Sequence, residues 1–117
     1  MTNKEKRLQR KMQKLGSPNP QCSTCGETDA RALEKHHIRG AHDGETILVC
    51  RNCHAKLGDE AQDWPKSLLS KSRSDLEKAV AFFLGLSSVL ILLGLSCGKH
   101  ALTIYKHFKG VRENEFA

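Results

Sequence analysis

The residues best suited to chemistry are four cysteines in two pairs, together with the histidines that lie between or directly after them. Cys22 pairs with Cys25, and Cys50 pairs with Cys53, each across a gap of two residues. Such a gap lets one tight turn direct two sulfur atoms at the same ion, and a structural zinc ion takes four ligands in a tetrahedron. The four cysteines therefore predict one structural Zn²⁺ site, which would stabilise a segment too small to fold by apolar burial alone.

Disulfide bonds are the alternative for these cysteines. The sequence does not open with the pattern of a secretory signal peptide, and the fifth cysteine, Cys97, lies in an apolar run. Both features favour reduced cysteines in an intracellular setting. We therefore interpret the two pairs as zinc ligands.

The histidines lie on the elements that the cysteine pairs enclose or begin. Residues 31–38 can form an extended strand with His36 and His37 near its end, a turn containing two glycines follows, and residues 46–50 form a β-branched strand. A helix is expected directly afterwards, with His54 at its start. This order of strand, loop, strand and helix lets the histidines face each other across a hairpin.

The arrangement resembles the HNH endonucleases, whose ββα-metal (treble-clef) fold has the same order of elements. The segments that carry the resemblance are LEKHHI at 33–38 and ILVCRNCH at 47–54, and the similarity covers about residues 20–64. The resemblance implies an α+β fold with a small zinc-stapled ββα-metal module at 18–65. It also implies a metal-dependent endonuclease that hydrolyses DNA phosphodiester bonds.

The resemblance gives each histidine a role. His36 and His54 would bind a catalytic divalent cation (Mg²⁺, Mn²⁺, Ni²⁺ or Zn²⁺), and His37 would be the general base that deprotonates the attacking water. A neutral imidazole can accept that proton near pH 7, and a cation held by two side chains keeps positions open for the scissile phosphate. Adjacent strand residues point to opposite faces, so the strand has to bend or end at these histidines.

One position departs from the pattern of the HNH family. The family's asparagine, which orients the general base, is replaced here by Glu45, about five residues before the second cysteine pair. Glu45 could accept a hydrogen bond from His37 and fix its tautomer. His42 and Asp43 in the connecting loop are further candidates for a metal ligand or a phosphate contact, with a solvated loop as the alternative.

The charge distribution indicates a polyanionic partner. The formal net charge is +6, from 19 Lys and Arg residues against 13 Asp and Glu residues. Six of these cations fall within residues 1–14, where Glu5 is the only acid. We interpret residues 1–17 as a basic helix or arm, with a solubilising disordered tail as the alternative. Such a segment neutralises phosphates without reading sequence, so DNA is the expected partner and binding should weaken steeply with salt.

The second half of the chain is apolar. After a linker at 66–74, a capping box of Ser74 and Glu77 begins a helix predicted for 75–108, and residues 79–98 carry no charge. A helix over those twenty residues covers about 30 Å, the thickness of a hydrocarbon core. We expect membrane association through this transmembrane helix and a polar tail at 109–117. A helix that packs in an oligomer is the alternative.

Three further expectations concern the whole chain. Gly94 and Gly98 form a GxxxG pair, and Ala81 and Gly85 form a similar small pair. Either pair can let two helices approach closely, so the first expectation is a homodimer. A nuclease that meets intracellular DNA with reduced cysteines has to face the cytoplasm, so we expect a cytoplasmic-facing module anchored by one helix, or otherwise a cytoplasmic protein. The alternative functions are a catalytically inactive zinc module that binds nucleic acid and a membrane-anchored structural or interaction protein.

Overall fold

The computed structural model describes the backbone of residues 1–116 and the side chains of residues 1–110. Within these residues the fold is α+β, with one two-stranded antiparallel sheet and three α-helices, as the sequence predicts at this level. The elements in chain order are α1 (Asn3–Leu15), β1 (Leu33–His37), β2 (Thr46–Cys50), α2 (Arg51–Gln62) and α3 (Asp75–Phe116), with 3₁₀ turns at Ala30–Ala32 and Lys66–Leu69. The helix α3 passes the predicted boundary at 108, and the rest of the predicted tail, 111–117, lies outside the described side chains.

The basic N-terminal segment forms α1 and packs on the rest of the fold. Its first turn is closed by a capping box, in which the Thr2 hydroxyl accepts from the Glu5 amide at 3.1 Å and the Glu5 carboxylate accepts from the Thr2 amide at 2.7 Å. Gly16 ends the helix in the left-handed region, with φ 72°. Leu15 is buried and Met12 packs against the core, so α1 is held by its apolar face and presents its cations to solvent.

The hairpin of β1 and β2 supplies the centre of the core. Leu33 pairs with Cys50 at one end of the ladder, and His37 pairs with Thr46 at the other. Leu33 and Val49 are completely buried. The helix α2 follows β2 with no intervening loop, because Cys50 ends the strand and also caps the helix.

The linker before α3 is fixed by one buried cation. The side chain of Arg73 is only 2% exposed. Its guanidinium donates to the carbonyl oxygens of Arg39 at 2.7 Å, Leu68 at 2.6 Å and Gly40 at 3.2 Å, and to the Asp43 carboxylate at 3.3 Å. A buried charge is stable only when its donors are satisfied in this way. The start of α3 is therefore tied to the loop that follows β1.

The helix α3 starts with the predicted capping box and then packs one face on the rest of the protein. Ser74 and Glu77 exchange hydrogen bonds of 2.8 and 3.1 Å between backbone and side chain. Ala81, Gly85 and Val89 are buried at intervals of four residues, which is the spacing of one helix face. By length and composition α3 could cross a membrane, and only 17% of its most apolar window is buried.

Candidate metal centre and the neighbouring histidines

The four paired cysteines come together as one cluster, which we call the cysteine cluster. Their sulfur atoms all lie within 4.8 Å of one another. The sulfurs of Cys25 and Cys50 are 3.6 Å apart, close to the edge of about 3.8 Å expected for a tetrahedron with zinc–sulfur bonds of about 2.3 Å. A disulfide would require about 2 Å, and all four thiols are free. The cluster could hold a metal ion and is compatible with structural zinc.

The first cysteine pair is shaped by a turn that needs a glycine. Gly26 adopts φ 87°, and its amide donates to the Cys22 carbonyl at 3.0 Å. The Ser23 amide donates to the Leu48 carbonyl at 2.8 Å, which fixes the turn to β2. The first two sulfurs are therefore positioned against the strand that leads into the second pair.

The second cysteine pair occupies the N-terminus of α2. Cys50 is the N-cap, and its sulfur accepts from the Cys53 amide at 3.4 Å. The positive end of the helix dipole therefore lies beside this pair. The helix thus contributes to the electrostatics of the cluster as well as to its geometry.

The thiols of the cluster differ in their proton affinity. Burial raises the pKa of Cys53 to about 12. Burial also acts to raise the pKa of Cys22, but hydrogen bonds from the Thr24 hydroxyl and from backbone amides lower it to about 6. Thr24, whose hydroxyl lies 3.3 Å from the Cys22 sulfur, was not singled out from the sequence. Four thiolates this close repel one another, so a bound cation would be needed to keep all four ionised.

His36 and His54 form a second group, which we call the histidine pair. The ring centroids are 5.3 Å apart and the planes meet at 73°. Two imidazoles that share a cation at about 2.1 Å place their centroids roughly 5 Å apart, so this spacing suits a shared ion. His36 comes from β1 and His54 from the first turn of α2, so the packing of helix on sheet brings them together.

Glu34 orients His54, and sequence reasoning missed it. The Nδ1 atom of His54 lies 2.6 Å from Glu34 Oε2. This hydrogen bond is the main reason that the pKa of Glu34 is held below its ordinary value, so the carboxylate accepts and Nδ1 carries the proton. With Nδ1 donating to Glu34, Nε2 is the nitrogen of His54 that remains for a metal ion, as in many metal-binding histidines. The available signal was that Glu34 precedes His36 by two residues and so shares its strand face.

His36 is held in the neutral form. Burial, together with the nearby rings of His54 and His37, lowers the pKa of His36 to about 4. At neutral pH the ring therefore keeps a lone pair for a ligand. Gly58 lies one helical turn beyond His54 on α2. Because glycine has no side chain, α2 adds no further ligand at that position.

The ring of His37 makes an edge-on contact with the ring of His42. Their ring centroids are 5.8 Å apart and the planes meet at 80°. The strand ends at His37, as predicted. His42 belongs to a loop in which both Ala41 and His42 have positive φ, 55° and 52°, a conformation that costs free energy for residues other than glycine.

The two acidic candidates from the sequence have different surroundings. The Glu45 carbonyl accepts from the Ile38 amide at 3.1 Å, but among the described side chains no hydrogen bond joins its carboxylate to His37. Asp43 is paired with Arg39 at 3.1 Å and with Arg73 at 3.3 Å. The Arg39 hydrogen bond is the main cause that lowers the pKa of Asp43. Asp43 therefore holds the loop together.

Comparison with family models, curated proteins and solved structures gives no match to this chain. Any functional assignment therefore has to rest on the geometry of the structure. Among the side chains of residues 1–110, the four cysteines are the only group of three or more His, Cys, Asp or Glu residues close enough to share one ion. The histidine pair offers two ligands.

Proposed function

We propose that the chain is a metal-dependent endonuclease of the HNH type, which hydrolyses DNA phosphodiester bonds with a treble-clef zinc module. The observation that carries the proposal is the histidine pair, with rings 5.3 Å apart and His54 oriented by Glu34 at 2.6 Å. A carboxylate that fixes the tautomer of a histidine is the usual support of a catalytic metal ligand. A surface histidine that binds no metal ion does not need a carboxylate to orient it.

In this proposal the work is divided between the two groups of metal ligands. The cysteine cluster would hold a structural Zn²⁺ with four protein ligands and no open position, whereas the histidine pair would hold a divalent cation with positions left for the substrate. When bound, that cation would polarise the scissile phosphate and stabilise charge on the leaving oxygen. His36 is neutral, and His54 would present Nε2, so each ring would supply one nitrogen to the cation.

His37 is the proposed general base. It lies next to His36 in the chain and ends β1. Both histidines line one small cavity beside the end of the strand, which we call the histidine cleft. A general base has to come within hydrogen-bond distance of the attacking water, and such distances often shorten only when substrate binds. The ring of His42, with its centroid 5.8 Å from that of His37, is the other histidine next to the proposed base.

The charge around the histidine pair supports DNA as the substrate. The Arg51 guanidinium lies 3.6 Å from Glu34, and the charge of Lys11 also acts on that carboxylate. Lys11 belongs to α1, whose remaining cations face solvent. A basic helix beside the cleft would bind phosphates on either side of the scissile bond.

A nicking assay tests the enzymatic assignment. The zinc-loaded full chain, in detergent micelles that solvate α3, is incubated with supercoiled plasmid and Mg²⁺, Mn²⁺ or Ni²⁺ in turn. We expect His37→Ala to lower the nicking rate about 100-fold or more, since a general base contributes at least that factor. His107→Ala, at an exposed position on α3, serves as the matched control and should leave the rate unchanged.

The alternative outcomes separate the rival functions. If no cation supports nicking, or if His37→Ala nicks as fast as the wild type, the enzymatic assignment is wrong. Plasmid binding that persists in that case would favour a non-catalytic zinc module that binds nucleic acid. One observation favours this non-catalytic module, namely that within the described residues the Glu45 carboxylate makes no hydrogen bond to His37.

The apolar helix supports a further part of the proposal, that residues 79–98 anchor the chain in a membrane with the module facing the cytoplasm. The helix carries no charge over this stretch, and much of its apolar surface is exposed. Carbonate extraction of membranes from expressing cells tests the anchor. Release of the full chain into the soluble fraction would contradict it.

A further inference from the structure

The contact between α3 and the hairpin depends on the absence of a side chain at one position. A Cβ atom built on Gly85 would overlap the carbonyl oxygen of Ile38, directly after the end of β1. Ala81 is completely buried on the same face, one turn earlier. No larger residue could occupy position 85 without moving the helix away, so this contact is specific to the docked position of α3.

The docked helix borders the histidines. A cavity of about 20 Å³ is lined by both histidines of β1, by Leu57 and Trp64, and by Gly85 and Ser88 of α3. Such a volume has room for about one water molecule. A phosphodiester group is several times larger. In the docked arrangement, α3 therefore covers the histidine cleft on the side where Gly85 and Ser88 lie, and a nucleic acid cannot enter from that side.

The other faces of α3 are suited to lipid. Phe83 and Leu90 are 67% and 55% exposed, and residues 79–98 contain no charged side chain. Contiguous apolar surface of this kind is normally covered, and a helix of this length matches the hydrocarbon core of a bilayer. The occupant indicated by length and composition is therefore a lipid bilayer.

Docking and insertion exclude each other. The buried positions of α3 begin at Ala81, and a cavity between α3 and the cysteine cluster extends to Thr103. These positions are about 33 Å apart along a helix, as long as the hydrocarbon core is thick. A docked module would therefore lie beside the spanning segment, with Lys56, Asp59 and Glu60 next to α3 at membrane depth. Charges at that depth cost several kcal/mol each.

We propose that α3 alternates between a docked position, in which it covers the histidine cleft, and a membrane-inserted position, in which the cleft is open. Insertion into a bilayer withdraws the face of α3 that carries Gly85 from Ile38. The catalytic consequence rests on the proposed nuclease function, because membrane-inserted protein would then cut DNA faster than docked protein in solution. The conformational part does not rest on it.

The experiment compares two glycines of one helix. Gly85→Leu removes the docked contact, whereas Gly94→Leu adds the same side chain at a position with open space and serves as the matched control. Zinc content and far-UV circular dichroism establish that each protein is folded. Hydrogen exchange of a peptide covering residues 36–40 then reports whether α3 is docked, without any need for activity.

We expect exchange in this peptide to be at least 10-fold faster in Gly85→Leu than in Gly94→Leu when lipid is absent. Phosphatidylglycerol vesicles should bring the wild type to the rate of Gly85→Leu. Plasmid nicking without lipid should rise at least 10-fold in Gly85→Leu only. If Gly85→Leu does not fold, Ala81→Leu replaces it, with the exposed Ala101→Leu as its control.

Two results would overturn the inference: equal exchange in Gly85→Leu and Gly94→Leu, or wild-type exchange that vesicles leave unchanged. Failure of the proposed nuclease function has a different signature. In that case no protein nicks DNA under any condition, while the exchange rates still separate the two glycine variants and still respond to vesicles.

Discussion

The cysteine cluster and the histidine pair are both held by the hairpin and the first turn of α2, and they differ in completeness. The cluster has four ligand atoms within 4.8 Å, and three of its cysteines are buried. The pair has two rings 5.3 Å apart, and the side chain of His54 is 37% exposed. A closed shell of four protein ligands holds a fold together, whereas an incomplete shell open to solvent leaves room for a substrate. In the proposed function, this difference separates a structural role from a chemical one.

The largest effect is expected from breaking the cysteine cluster. Cys53→Ser should abolish zinc binding and unfold the module, because structural zinc contributes about 10–16 kcal/mol while domains of this kind are stable by only about 5–15 kcal/mol. Zinc per chain by mass spectrometry, together with a thermal melt, measures the result. Cys97→Ser, at an exposed position on α3, is the control and should keep both zinc and the melting temperature.

A zinc-free Cys53→Ser protein that melts like the wild type would remove the distinction between the two sites. The cluster would then be dispensable for folding. Removal of zinc from the wild type by a chelator provides an independent version of the same measurement, since it leaves the sequence unchanged.

The cysteine cluster was the easier of the two to predict from the sequence, for a physical reason. Each Cys-x-x-Cys pair is positioned by a local turn, so spacing alone places its sulfurs. The orientation of His54 by Glu34 depends on strand register and on the packing of α2, which join residues twenty positions apart. Spacing places Glu34 and His36 on one strand face but does not show that His54 packs against them.

The apolar helix shows a second limit of sequence reasoning. Gly85 and Gly94 lie in the same uncharged run and are equivalent as sequence positions. Only the position of α3 against Ile38 separates a glycine that is required from one that faces open space. The length and apolar character of the helix were predictable, but its docked face was not.

An intermediate effect is expected from Glu34→Gln. An amide in place of the carboxylate weakens the hydrogen bond that fixes the His54 tautomer, so affinity for the catalytic cation and the nicking rate should fall about 10- to 100-fold. Manganese binding followed by electron paramagnetic resonance measures the affinity separately from catalysis. Zinc content and melting temperature should stay unchanged, which distinguishes this site from the cysteine cluster.

Glu45→Gln is the matched comparison for Glu34→Gln. A smaller loss than in Glu34→Gln is expected, because the Glu45 carboxylate is exposed and has no hydrogen bond to His37. A larger loss in Glu45→Gln would restore the role that the sequence resemblance gives to this position. It would also show that His37 is reoriented when substrate binds.

The smallest effect is expected from Lys11→Gln, and it tests whether the histidine pair faces the nucleic acid. Lys11 lies on α1 and its charge reaches Glu34, so it should contact a phosphate near the cleft. Loss of one such contact should lower the magnitude of the slope of log affinity against log salt by about 1 and weaken DNA binding equally for all sequences. Lys66→Gln, in the 3₁₀ turn before α3, should leave the slope unchanged. Equal slopes for both variants would mean that DNA approaches by another surface, and the open shell of the histidine pair would then lack its proposed substrate.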